Sequence, residues 1–130
     1  MKLAKDYLNN CVIKIDPLTY VVGQTVRVPD QYLAVIKTQD ETTVVVEISQ
    51  QQSIPWLKVE PNWRLLTFDV ELPFELVGFL AIIATELAEA SISIFVLSSY
   101  ATDHLLVKSS DLEKAIVVLE RLGCIVPLKE

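Results

Sequence analysis

The sequence predicts an α+β fold, and three observations carry that reading. Residues 63–72 alternate with period 2, residues 74–90 and 110–122 repeat with helical period, and the first half holds no long 3.6-residue pattern. In chain order the second half reads strand (63–72), helix (74–90), a strand pair (92–100 and 104–108), helix (110–122) and a short last strand (124–128). That is the order of a ferredoxin-like βαββαβ unit, an architecture that hosts many unrelated functions.

The first half is read as strand-rich. Residues 1–10 form a frayed lead-in. Residues 11–15 are a strand stopped by Asp16-Pro17, and residues 18–22 are another, ended near Gly23. Pro29-Asp30 starts a single helical turn at most. Residues 33–37 and 42–48 are β-branched runs flanking Gln39-Asp40-Glu41, which predicts a hairpin. Residues 49–62 contain two prolines and read as an ordered connector, with Ile54, Trp56, Leu57 and Val59 packed against the rest.

The second half is patterned more sharply. Leu66, Phe68, Val70 and Leu72 share one strand face. Leu76, Leu80, Ile83, Leu87 and Ala90 form a helical stripe, with Thr85, Glu86 and Glu89 on the wet side. Ser110-Asp111-Leu112-Glu113 has the pattern of a capping box, the last helix buries Leu112, Ala115, Ile116, Leu119 and Leu122, and Gly123 stands where a helix-ending glycine belongs. Leu65, Phe95, Leu97 and Leu106 make the opposite strand faces apolar too. A βαββαβ sheet carries helices on one face only, so the first half or another subunit must cover the other. Phe79, Ile82 and Val117 are surplus apolar residues on the helices, either scattered surface positions or the footing of a partner.

Composition narrows the function classes. The chain has 130 residues, 52% hydrophobic and 22% charged, with a net charge of −6 and no run of Lys or Arg. Nucleic acid and anionic membrane surfaces are therefore poor partners. No apolar window approaches the length of a bilayer span, and the N-terminus has no signal-peptide pattern, so a cytoplasmic protein is expected. Cys11 and Cys124 stand far apart in sequence without CxxC, and His104 is the sole histidine, so no metal and no cofactor is expected.

Catalytic signals are weak. Asp103 and His104 are strand neighbours pointing to opposite faces. Asp69 and Glu71 share a strand face, but no second cluster joins them for acid–base work; a solvated strand face or recognition of a cationic group suits them better. Acylphosphatases share the fold, yet need a basic loop after the first strand, where this chain has Leu72-Pro73-Phe74. A small enzyme using Asp69, Glu71 and His104 is the weaker alternative. The loop 71–78 delivers the chain into a helix N-terminus, whose free N–H groups suit a carboxylate. Gly78 in the first turn would let a ligand approach closely.

Several motifs carry a family resemblance: Trp63-Arg64-Leu65-Leu66, Pro73-Phe74-Glu75-Leu76-Val77-Gly78-Phe79, Ser91-Ile92-Ser93-Ile94-Phe95, Ser98-Ser99-Tyr100-Ala101-Thr102-Asp103 and Asp111-Leu112-Glu113-Lys114-Ala115. Here the chain resembles an ACT domain, in the branch of small tandem-ACT proteins that includes the CASTOR-type cytosolic arginine sensors. The resemblance implies two units: a degenerate, strand-rich ACT-like unit with its connector at residues 1–60, and an ACT domain at 61–130. It also implies that units pair side by side and bind an amino acid or related metabolite at their seam. The seam would use Leu72, Pro73, Phe74, Glu75, Val77 and Gly78, with Ile94 and Phe95 from the strand 93–95. The amides of Val77 and Gly78 would take a carboxylate, and Asp69 or Glu71 an amine. The family loop often has small hydroxyl residues where this chain has Glu75 and Val77, and a glutamate there opposes a carboxylate. The expected protein is a non-enzymatic, ligand-sensing homodimer that acts on a target protein; the alternative is a dimerisation module without ligand.

Overall fold

The computed structural model describes residues 2–127. Its strands are β1 (Val12–Thr25), β2 (Ala34–Lys37), β3 (Thr42–Glu47), β4 (Trp56–Asp69), β5 (Ile94–Ser98) and β6 (Asp103–Lys108). They form one antiparallel sheet in the order β2-β3-β1-β4-β6-β5. Three α-helices join it: α1 (Ala4–Leu8), α2 (Phe79–Glu89) and α3 (Leu112–Arg121). The α+β, ferredoxin-like class holds, with β4, α2, β5, β6 and α3 in the expected order. The last strand does not form as expected. Ile125 makes a single parallel bridge to Val12, and Leu128 lies outside the described residues. The place beside β4 is taken by β1 from the first half.

Three first-half expectations are corrected. Asp16-Pro17 does not stop the strand, because a bulge between Ile15 and Thr19 removes the proline from the ladder. The Asp16 carboxylate accepts from the Leu18 amide at 2.8 Å and from the Tyr20 hydroxyl at 3.0 Å, which holds the bulge shut. Gly23 does not end the strand either. It lies under the Trp56 ring, where a Cβ would come within 2.5 Å of Cε3. The supposed connector is mostly structured: a 3-10 helix at Ile48–Ser53, then β4 from Trp56. No helical turn forms at Pro29-Asp30, which is within the expectation of one turn at most.

The lead-in is also ordered. The Asp6 carboxylate accepts from the Leu3 amide at 2.7 Å, and Asn10, at φ 66°, turns the chain into β1. So short a helix is marginal alone; burying Leu8 to 1% exposure in the helix-side core holds α1 in place. That core stacks Ile13, Leu66, Phe68, Leu105 and Val107 of the sheet against Phe79, Ile83 and Leu87 of α2 and Ala115 and Leu119 of α3. Each such buried side chain contributes roughly 1.5–3 kcal/mol.

α2 starts five residues later than its periodicity suggests. Gly78 takes φ 93° immediately before it, so Phe79, not Leu76 or Leu80, leads the buried stripe. Phe79 meets Phe68 edge-on at 5.4 Å. At α3 the capping box does not form. A 3-10 turn, Ser109–Asp111, leads straight into the helix, and no side chain caps it. The far end follows expectation: Gly123 at φ 103° donates to Glu120 O at 3.0 Å, and Cys124 donates to Leu119 O at 3.1 Å.

The second apolar face is covered from within. Tyr20, Val22, Val45 and Ala34 cluster with Trp63, Leu65, Leu106, Phe95 and Leu97. β2 and β5 stand at opposite ends of the sheet, about 24 Å apart if it were flat, yet they line one cavity. The sheet therefore curls until its two edges approach. Gly23→Ala tests this curl, since Trp56 and the Lys58 carbonyl leave no room for a methyl. We expect a loss of about 2–3 kcal/mol in urea unfolding, and a loss below 0.5 kcal/mol would show that Trp56 can move aside.

Candidate functional site

The loop after β4 and the turn between β5 and β6 close on each other. Leu72 donates to Ala101 O at 2.8 Å, and the Thr102 hydroxyl donates to Phe68 O at 2.9 Å. Between them lies a cavity of about 300 Å³. Leu72, Pro73, Phe74, Leu76, Gly78 and the first residues of α2 form one wall, and residues 98–103 form the other.

The local sequence dictates this shape. Leu76 donates to Pro73 O at 2.9 Å, making a tight turn, and Gly78 reverses the chain in the left-handed region. A Cβ at Gly78 would meet only Ala4, at 3.9 Å. Glycine is needed there for its φ, not for close approach of a ligand. Gly78 is also the N-cap residue rather than part of the first turn, and no side chain caps the helix. Ile82 is the first amide to donate back, to Gly78 O at 3.2 Å. The amides of Phe79, Leu80 and Ala81 have no acceptor among the described residues, and all three residues line the cavity. An anion at such a helix end is stabilised by about 0.3–1 kcal/mol, more when partly buried.

Of the residues expected at the site, Leu72, Pro73, Phe74 and Gly78 line the cavity. Glu75 and Val77 belong to the same loop but point to solvent, Val77 being 84% exposed. Asp69 pairs with Lys14 at 3.5 Å, and Glu71 is exposed. Ile94 packs on the helix-side core and Phe95 on the opposite one, where it meets Trp63 edge-on at 6.3 Å. Asp103 was not anticipated. It lines the cavity and accepts from the Ser98 hydroxyl at 2.6 Å. The sequence signal for it was its place at the end of the Ser98–Asp103 motif, and the β5–β6 ladder sets it opposite Ser98. Phe74 and Tyr100 stack at 5.2 Å at the rim and are 77% and 83% exposed.

Asp69, Glu71 and His104 are not brought together. His104 bonds Thr67 Oγ1 at 2.9 Å through Nδ1 and Ser99 Oγ at 2.8 Å through Nε2. Cys11 and Cys124, distant in sequence, meet as free buried thiols, and the hydrogen bond between them lowers the pKa of Cys11 and raises that of Cys124. Among the described residues no group of three His, Cys, Asp or Glu side chains could hold a metal, and no helix is long and apolar enough to cross a membrane.

With this geometry, the sequence profile of one family fits the second half. Residues 58–121 match the ACT domain family. The matched segment runs from within β4 to the end of α3 and contains both walls of the cavity. No curated protein matches the chain. Several solved structures share its fold. Protein Atu0741 from Agobacterium tumefaciens is 27% identical with a TM-score of 0.79, over 93% of this chain and 95% of that one. A protein of unknown function from Vibrio cholerae, titled a possible transport protein, is 24% identical with a TM-score of 0.75, over 92% and 94%. The ligand-free regulatory subunit of aspartate kinase from Thermus thermophilus is 11% identical with a TM-score of 0.64, over 85% and 95%.

Burial pushes the His104 imidazole below its ordinary pKa, against a weaker opposing pull from Asp103. The unfolded chain therefore binds this proton at higher pH than the folded one. The contribution of His104 to stability is complete above about pH 6.5 and is lost as pH falls toward the native pKa. His104→Gln can keep both hydrogen bonds but cannot titrate. The stability of the wild type relative to this variant should decline from about pH 7 to about pH 5, measured by urea unfolding at each pH. A flat difference would show that the imidazole charges in place without cost.

Proposed function

We propose that the protein is a non-enzymatic regulatory module that binds an amino acid or related metabolite in the cavity between the loop 72–78 and the turn 98–103. One observation supports this above others: the cavity offers charges of both signs. Three free amides at the start of α2 suit a carboxylate, and Asp103 suits an ammonium group. In this reading Phe79, Leu80 and Ala81 take the place of the Val77 and Gly78 amides, and Asp103 that of Asp69 or Glu71. The match of residues 58–121 to the ACT family and the fold shared with a regulatory subunit of aspartate kinase agree with such a role. We further place the chain nearest the tandem-ACT arginine sensors, with units at 1–60 and 61–130, although the boundary falls inside β4. The proposed setting is the cytoplasm, and the output is a ligand-dependent change in binding a target protein.

A second reading, a dimerisation module without ligand, is favoured by the exposed Phe74–Tyr100 stack beside Val77. In the ligand-binding reading the same patch is where a second copy completes the seam, so a homodimer is proposed in both.

Thermal unfolding against each of the twenty amino acids separates the two. A binder present at about 100 times its Kd should stabilise the fold by roughly 2.7 kcal/mol, and Asp103→Asn should remove most of that gain. No shift with any amino acid at millimolar concentration sinks the ligand reading. Gel filtration of Phe74→Ser then tests the seam: a wild-type dimer should become a monomer, and a wild-type monomer at low micromolar concentration would refute dimerisation.

A further inference from the structure

A second cleft, of about 430 Å³, lies where the curled sheet fails to close. Residues 33–36, at and beside β2, face residues 96–99, at the end of β5, and Leu65, Thr67 and His104 come from the strands between. No charged side chain lines it, and three of its polar side chains are contiguous: Thr67, His104 and Ser99.

The protons at this polar end can be assigned. Ser99 Oγ donates to Thr102 O at 3.1 Å, so it can only accept from His104. His104 Nε2 therefore carries the imidazole proton. Neutral Nδ1 is then bare, and the Thr67 hydroxyl donates to it. The Ser98 hydroxyl is turned to the other face of β5, where it donates to the Asp103 carboxylate of the loop cavity. Both hydroxyl protons of this polar end are committed within the protein, and the Thr67 and Ser99 oxygens each keep a lone pair. The polar end thus accepts hydrogen bonds and has none to donate.

We propose that this cleft binds an uncharged, largely apolar small molecule that presents an O–H or N–H donor to the oxygens of Thr67 and Ser99. A zwitterion suits the loop cavity but not this one, where neither of its charges meets a counter-charge. A carboxylate or ketone would face lone pairs with no proton between them. The volume is within the ordinary range of small-ligand sites.

Indole and benzofuran test the idea, because they share a shape while one has an N–H donor and the other only a ring oxygen. Indole should cause saturable shifts in the amide nuclear magnetic resonances of Ala34, Val35, Ile36 and Leu97 of the full chain, leaving Phe79, Leu80 and Ala81 in place. Benzofuran should bind about fivefold more weakly. Ile36→Glu, at a position 42% exposed, should abolish the indole shifts by placing a charge in the wall. Absence of saturable shifts with indole, equal binding of benzofuran, or shifts centred on residues 79–81 would overturn the proposal. The wild-type map decides even if the variant does not fold.

Discussion

The antiparallel pairing of β1 with β4 is the interaction on which the rest depends. These are the two longest strands, each of 14 residues, and they lie at the centre of the sheet order. β1 pairs with β4 on both sides of its bulge, and its first half does so beneath the helices, in the place a βαββαβ unit would give its own last strand. The other half carries β3 and the hairpin around to the opposite face. The bulge at Asp16-Pro17 falls between these two regions, and bulges increase local twist. The proline that looks like a strand terminator therefore sits where one strand changes from one job to the other.

Much of the fold was legible because its signals were local. The β2–β3 hairpin, the second half of β4, β6 and α3 follow from alternation, helical period and Gly123. What was not legible depended on long-range contact. Gly23 reads as a break until the Trp56 ring, thirty-three positions away, is placed over it. Residues 1–10 read as frayed because the packing that buries Leu8 is tertiary. The late start of α2 illustrates the limit of periodicity: Leu76 and Leu80 keep helical spacing, but spacing cannot report that Gly78 adopts a left-handed conformation. The apolar second face was legible as a problem, and only the curl of the sheet supplies the answer.

For the site, sequence reasoning located the loop but not its opposite wall. The loop signal was chemical, a strand end running through Pro73 and Gly78 toward a helix. The opposite wall comes from a turn whose polar residues looked ordinary. Asp103 and His104, which alternation sends to opposite faces, do separate: the aspartate lines the loop cavity and the histidine the edge cleft. Their adjacency excludes a catalytic dyad and at the same time puts two different chemistries on either side of one strand.

The turn 98–103 thus becomes the common wall of two cavities. Ser98 and Ser99 line both, and the chain of donors from Thr67 through His104 and Ser99 to Thr102 ends on the segment that Thr102 ties to Phe68. A group bound in either cavity would press on the same few hydrogen bonds. Coupling between sites requires an element with two arrangements that both ligands bias differently. Four exposed or half-buried polar side chains meet that description better than the buried sheet does, because their bonds can be exchanged without unpacking Phe68, Leu66 or Leu105. The rigid β1–β4 core fixes where the turn begins and ends, and the hydroxyl network determines how it is held in between. Any response of this protein to a small molecule is therefore best sought in that turn, and least in the strands that carry it.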